Sequence, residues 1–189
     1  PSIPGCRGSL ETPLNELISI YKTLAEFLNR EDITFIGQNI KFDLEKLIAP
    51  SKLLHPYSHD KVAADTSLMM GVIYPEFPKK LEFSTSIFTN EPFYKDEGKE
   101  FNPKKDPYER LLEYNAKDAA VTKEIKLNLD KELLEVVSPG KQSLHTFYYN
   151  YVNKLTSFYM DMEAEGLLVD KDRRSELIIE YQAELLRIH

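Results

Sequence analysis

Cysteine is almost absent from this sequence, because Cys6 is the only one among 189 residues. The chain can therefore form neither an internal disulfide nor a metal site of several thiolates, and such usage is typical of a reducing compartment. Glycine-rich phosphate loops and any Ser-His-Asp arrangement are missing as well. Of four histidines, only His55 and His59 are close in sequence, and they lie beside Pro56 in a predicted loop. The sequence therefore offers no histidine or thiolate metal site.

Long apolar runs are also absent, and no segment resembles a signal peptide or a membrane span. We expect a soluble, intracellular protein with no membrane partner. The net charge of −7 argues against binding nucleic acid through the overall field of the chain. It does not exclude an enzyme that holds phosphates through metal ions, because such sites are themselves acidic. The hydrophobic content of 42% is typical of a folded domain.

Hydrophobic periodicity and helix-breaking residues predict a mostly helical chain with two short strands. The predicted helices cover residues 12–29, 39–49, 66–74, 81–88 and 107–137, and the last 47 residues are helical with a break near Gly166. The predicted strands cover residues 33–37 and 62–65. Residues 89–106 form a long polar excursion at the surface. Two strands are few for a core of this size, so we expect further strands upstream.

Asn39 and Asp43 lie one helical turn apart, directly after the first predicted strand. A structural interpretation is that Asn39 caps the helix and that Asp43 offsets the helix dipole. A second pair, Tyr114 and Asp118, has the same spacing on the long helix and is surrounded by small and apolar residues. Here the structural interpretation is a surface carboxylate beside a half-buried tyrosine.

Taken together, Asn39-Ile-Lys-Phe-Asp43 and Tyr114-x-x-x-Asp118 resemble the second and third motifs of the DEDD exonucleases that carry a tyrosine. The chain is similar, more narrowly, to the 3′–5′ proofreading domain of family A, Klenow-type DNA polymerases. Three further segments carry this resemblance: Asp65-Thr66-Ser67-Leu68, residues 92–99, and residues 162–170, which resemble the junction leading into the polymerase thumb.

The resemblance implies an RNase H-like α/β fold, with a mixed sheet flanked by helices and a C-terminal all-helical extension. Residues 1–140 would form the exonuclease domain, and residues 141–189 a helical linker and the start of the thumb. The activity would be two-metal hydrolysis of the 3′-terminal phosphodiester of DNA, in a polymerase of the cytoplasm, the nucleoid or an organelle. Its partners would be a single-stranded 3′ end or primer-template, and the rest of the polymerase chain.

The resemblance also assigns roles to five residues. Asp43, Tyr114 and Asp118 would be catalytic, with Asp43 and Asp118 as ligands of two Mg²⁺ or Mn²⁺ ions and Tyr114 orienting the attacking water. Asn39 and Phe42 would contact the substrate.

The family's first motif, Asp-x-Glu on an early strand, does not precede Asn39. The three Asp-x-Glu sequences begin later, at Asp43, Asp130 and Asp161. Since the chain also lacks an initial Met, we expect a fragment that misses its first strands, binds Mg²⁺ weakly and degrades DNA slowly or not at all. An RNA-processing exonuclease of the same superfamily and an inactive scaffold domain are the alternatives.

Three other groups of residues could have functions. The aromatic cluster (Phe147, Tyr148, Tyr149, Tyr151, Phe158 and Tyr159) could stack bases, although helix packing is the expected role. Four lysines of the excursion (Lys95, Lys99, Lys104 and Lys105) could meet the DNA backbone or be merely solvated. An apolar stripe on the last helix (Leu177, Ile178, Tyr181, Leu185 and Ile188) belongs with the missing polymerase domain, so in a fragment it could be exposed, mobile or used in crystal or dimer contacts.

Overall fold

A computed structural model describes residues 14–51, 61–94, 96, 101–102, 104–137, 140 and 142–188, and for residues 48–51 only the backbone. Its elements in chain order are α1 (Leu14–Leu28), β1 (Phe35–Gly37), α2 (Ile40–Ser51), β2 (Val62–Asp65), α3 (Thr66–Ile73), α4 (Leu81–Phe88), α5 (Tyr108–Glu135), α6 (Leu144–Phe147), a π-helical turn (Tyr148–Val152), α7 (Asn153–Glu165) and α8 (Lys171–Ile188). The described chain is thus mixed α/β and mostly helical.

Strands β1 and β2 pair in parallel, and α2 connects them. Parallel neighbours require such a crossover, because a tight turn would reverse the chain direction. The register sets Ile36 opposite Ala64 and Gly37 opposite Asp65, so that both strands end at the same level. Within the described residues the sheet contains this parallel pair only. The larger mixed sheet and the RNase H-like arrangement remain predictions.

Two apolar clusters include residues of this strand pair. The first joins α1, α2, β2 and α7 and has as buried members Ala25, Leu28, Ile40, Leu44, Val62 and Met160. The second joins β2, α3, α5 and the π-helical turn and contains Ala64, Met69, Met70, Ile125, Leu129, Leu133 and Tyr148. Helix α5 also contacts β1, and this contact positions residue 118 relative to that strand.

Most predicted elements are confirmed, and the differences lie at their ends. Strand β1 begins at Phe35 instead of residue 33, because the N–H of Ile33 bonds in a turn to the carbonyl of Arg30 at 3.3 Å. Helix α2 runs one residue past Pro50, a shift within the usual uncertainty of helix ends. Helix α5 ends at Glu135, since Val137 forms an antiparallel bridge with Ser143.

The aromatic cluster divides into buried and exposed members. Tyr148 is fully buried, as the packing interpretation requires. Phe147, Tyr151, Phe158 and Tyr159 are exposed, so helix packing is wrong for them within the described residues. Helix α8 has no buried residue, and four members of its predicted apolar stripe (Ile178, Tyr181, Leu185 and Ile188) are exposed. None of the described helices combines the length and the apolar character that a membrane span requires.

Candidate active site at the end of the parallel strands

Asp43 and Asp118 line one cleft, although they belong to different helices. The cleft has a volume of about 420 Å³, and its other lining residues are Ile36, Gly37, Gln38, Ile40, Leu81, Ala119 and Thr122. Because Ile36 and Gly37 end β1, the cleft lies at the carboxyl end of that strand. Ligands of open α/β sheets bind in this location.

Asp65 at the end of β2 sets the position of Asp43. Its carboxylate accepts hydrogen bonds from the backbone N–H groups of Asn39 and Ile40, both at 3.0 Å. It also accepts bonds from the N–H and hydroxyl of Ser67, each at 2.8 Å. One buried carboxylate therefore caps both α2 and α3, and it fixes the helix turn from which Asp43 projects.

The interpretation of Asn39 as the helix cap is therefore wrong. Asn39 has a φ of +58°, in the left-handed region that asparagine tolerates better than most residues. Its carbonyl bonds the N–H of Phe42 at 3.0 Å, while the cap comes from Asp65. The distant carboxylate could not be seen in the local pattern, which places an amide where a cap usually lies.

Gln38 connects the turn after β1 to two other elements. Its amide NH₂ donates to the carbonyl of Lys79, and its amide oxygen accepts from the hydroxyl of Thr66. The hydroxyl of Thr66 also lies 3.3 Å from the carbonyl of Gly37. These contacts join the turn after β1, which lines the cleft, to the start of α3 and to the segment before α4.

Asp118 lies in the middle of α5 and is held by Tyr94. The Tyr94 hydroxyl donates to Oδ1 of Asp118 at 2.7 Å, and Tyr94 is only 4% exposed. The backbone carbonyl of Asp118 accepts a bond of 2.7 Å from the hydroxyl of Thr122. Sequence reasoning missed Tyr94 because it lies in the polar excursion, where only its bulk and its apolar neighbour Phe93 could have signalled a buried anchor.

Tyr114 lies one helical turn before Asp118 on α5. It is half-buried and contacts the edge of the Tyr94 ring, with 5.8 Å between the ring centroids. It is not among the lining residues of the cleft, and both Tyr114 and Asp118 contact Tyr94.

The two predicted substrate contacts, Asn39 and Phe42, are exposed and do not line the cleft. Their neighbours Ile40 and Asp43 do line the cleft, so Asn39 and Phe42 lie beside it on the α2 side. The ammonium of Lys46 lies 5.0 Å from the centre of the Phe42 ring. Of the four excursion lysines, Lys104 and Lys105 are exposed. The other two, like His55 and His59, lie outside the described residues.

Two pKa shifts mark the electrostatics of this region. Partial burial raises the pKa of Asp43, and the nearby negative charge of Asp65 raises it further. Burial and, after it, the hydrogen bond to Asp118 raise the pKa of Tyr94. The Tyr94 phenol therefore keeps its proton and acts as a donor at neutral pH, whereas the Asp43 carboxylate is stabilised by any cation that enters the cleft.

The carboxylate oxygens of the cleft are the type of ligand that a hard divalent cation prefers, but they are too few to hold two cations. Carboxylate oxygens are the preferred ligands of Mg²⁺ and Mn²⁺, and Asp43 and Asp118 supply them. The carboxylate of Asp65 is already engaged by three N–H groups and a hydroxyl. Among the residues that the structure describes, no group of three or more acidic, histidine or cysteine side chains could hold a metal ion. A two-cation centre would need further ligands from elsewhere.

No protein-family model, no curated protein and no solved structure matches the chain.

Proposed function

We propose that the chain is part of a DNA polymerase and carries most of its 3′–5′ proofreading exonuclease domain. One observation supports this most directly: Asp43 and Asp118, from two separate motif-like segments, line the same cleft at the end of a strand. Two carboxylates that line one cleft offer oxygen ligands to a hard cation. A cation there would also offset the partial burial and the charge of Asp65, which together raise the pKa of Asp43.

In this proposal, the residues of the cleft bind and orient the 3′-terminal nucleotide. A volume of about 420 Å³ falls in the range of small-ligand pockets, roughly 300–1,000 Å³. Asp43 and Asp118 would hold Mg²⁺ or Mn²⁺, which supplies an activated water and stabilises the leaving oxygen when bound. Tyr114 would orient the water, and Asn39 and Phe42 at the side of the cleft would contact the nucleotide.

A non-catalytic scaffold is the second candidate, and one observation favours it. Within the described part of the chain the acidic residues do not assemble a group of three or more around one point. The two candidates differ in a simple way, because a scaffold has no reason to keep two carboxylates in one cleft and should tolerate their loss.

A single-turnover assay with a 3′-labelled single-stranded DNA oligonucleotide in Mn²⁺ tests the proposal. We expect slow, metal-dependent release of the terminal nucleotide that is lost in Asp43→Ala and Asp118→Ala. Glu124→Ala is the matched control, because Glu124 is an exposed acid on the same helix as Asp118 and lies outside the cleft. Equal release rates in all four proteins would contradict the proposal and favour the scaffold. If no protein releases the nucleotide, as a chain without the first motif allows, Mn²⁺ affinity decides: it should fall in Asp43→Ala and Asp118→Ala but not in Glu124→Ala, and equal affinities would favour the scaffold. An RNA oligonucleotide cleaved in preference to DNA would instead indicate an RNA-processing enzyme.

A further inference from the structure

Tyr94 is a buried side chain within a polar, exposed segment. The preceding residue Phe93 is 65% exposed and the residues from Asn90 to Pro92 are also exposed, whereas Tyr94 is 4% exposed. Burying one aromatic residue from such a segment costs conformational freedom, and the contacts that it makes must compensate for that cost. Those contacts converge on the Tyr114–Asp118 turn of α5.

We propose that Tyr94 is a positioning residue of the candidate active site, fixing the carboxylate of Asp118 through its hydroxyl and the ring of Tyr114 through its own ring. This inference rests on the proposed function, because it concerns how the residues of that site are held.

The hydroxyl contact fixes one oxygen of Asp118. The O–H···O distance of 2.7 Å is typical of a well-formed bond between a hydroxyl and a carboxylate. A carboxylate that is held through one oxygen keeps the other in a defined direction. Hydrogen bonds of this kind orient metal-ligating side chains, and removing them typically lowers metal affinity or activity about 10- to 100-fold.

The ring contacts act on the same turn of α5. The rings of Tyr94 and Tyr114 meet edge to face at an interplanar angle of 63°. The ammonium of Lys117 lies 5.5 Å from the centre of the Tyr94 ring. One side chain from the excursion thus contacts both residues of the predicted third motif and the lysine between them.

The test compares Tyr94→Phe with the unmodified chain in a Mn²⁺ titration followed by EPR. Phenylalanine keeps the ring contacts and removes only the hydroxyl. We expect the Mn²⁺ affinity to fall about 10-fold. A loss of affinity without a change in the thermal unfolding midpoint would separate positioning of the ligand from a general loss of structure.

Tyr149→Phe is the matched control. Its hydroxyl donates to the carboxylate Oδ1 of Asp130 at 2.7 Å, on the same helix as Asp118 but away from the cleft. This variant should leave the Mn²⁺ affinity unchanged. If Tyr94→Phe binds Mn²⁺ as tightly as the unmodified chain, or if Tyr149→Phe weakens binding to the same extent, the inference is wrong.

Asp118→Ala in the same titration distinguishes failure of the proposed role of Tyr94 from failure of the proposed metal site. If Asp118→Ala weakens Mn²⁺ binding and Tyr94→Phe does not, only the role of Tyr94 is refuted. If Asp118→Ala leaves binding unchanged, or if the unmodified chain binds no Mn²⁺ at all, then the proposed metal role of the cleft fails and the role of Tyr94 fails with it.

Discussion

The buried carboxylate of Asp65 accepts a hydrogen bond of 3.0 Å from the backbone N–H of Ile40. This bond joins the end of β2 to the start of α2, the helix that follows β1. Ile40 itself is buried in the cluster between α1 and α2. This contact sets the depth at which α2 begins and therefore the point from which Asp43 enters the cleft. A residue with no proposed catalytic role thus positions Asp43, for which such a role is proposed.

Asp65→Asn should destabilise the protein strongly. The amide offers one acceptor oxygen instead of two and places an NH₂ group against backbone donors, so at least one buried N–H loses its partner. We expect a loss of roughly 2–3 kcal/mol in the free energy of unfolding, measured by urea denaturation. Asp170→Asn is the comparison, because Asp170 bonds the N–H groups of Asp172 and Arg173 at an exposed helix start. A loss no greater than that of Asp170→Asn would contradict the role of Asp65.

Tyr148→Phe tests how the C-terminal helices attach to the sheet. The Tyr148 hydroxyl accepts the N–H of Asp65 at 2.8 Å and lies 3.2 Å from the Asp65 carbonyl, at the end of β2. Removing it leaves a buried N–H without an acceptor, which costs about 1–3 kcal/mol. Urea denaturation of Tyr148→Phe should show this loss, and Tyr149→Phe, whose hydroxyl meets a partly exposed carboxylate, should lose less. A larger loss of stability in Tyr149→Phe than in Tyr148→Phe would contradict the role of the Tyr148 hydroxyl in attaching the C-terminal helices to the sheet.

Asp43→Asn should change stability in a pH-dependent way. The pKa of Asp43 is raised above its ordinary value of 3.8, so folding disfavours its charged form. Asp43 therefore adds most to the free energy of unfolding below its unfolded-state pKa, where its carboxyl is neutral. This contribution is lost as pH rises through the folded-state pKa. Asparagine is uncharged, so Asp43→Asn removes the free-energy cost of holding a charged carboxylate at this position. The variant should therefore melt at a higher temperature than the unmodified chain near neutral pH and should lose this advantage well below a pH of about 4. An equal gain at both pH values would show that charge is not the cause.

The sequence predicts the elements of this fold better than their connections. Leu24, Ala25 and Leu28 have helical spacing and pack as α1, and Pro107 marks the start of α5, because these signals act within a few residues. The local pattern predicts Asn39 as the cap of α2, whereas the cap is Asp65. A hydrogen bond between residues so distant in sequence leaves no local pattern.

The candidate site likewise contains residues that the sequence predicts and residues that it does not. Asp43 and Asp118 were predicted from two short segments, and both line the cleft. Tyr94 was not singled out, because its burial depends on the surface of α5 that it meets and not on its neighbours in the chain. Tyr114 lies one turn from Asp118 on α5, as its spacing in the sequence predicts, and its ring contacts that of Tyr94. Residues that organise a site through tertiary contacts remain hidden until the chain is folded.

A double-mutant cycle of Mn²⁺ affinity with Asp43→Asn, Asp118→Asn and the combined variant tests the central claim most directly. If the two carboxylates act on one cation-binding site, each substitution removes most of the affinity and the second adds little, so the effects are strongly non-additive. Additive effects would show that the two residues act independently, and unchanged affinity in either single variant would contradict a shared site in this cleft.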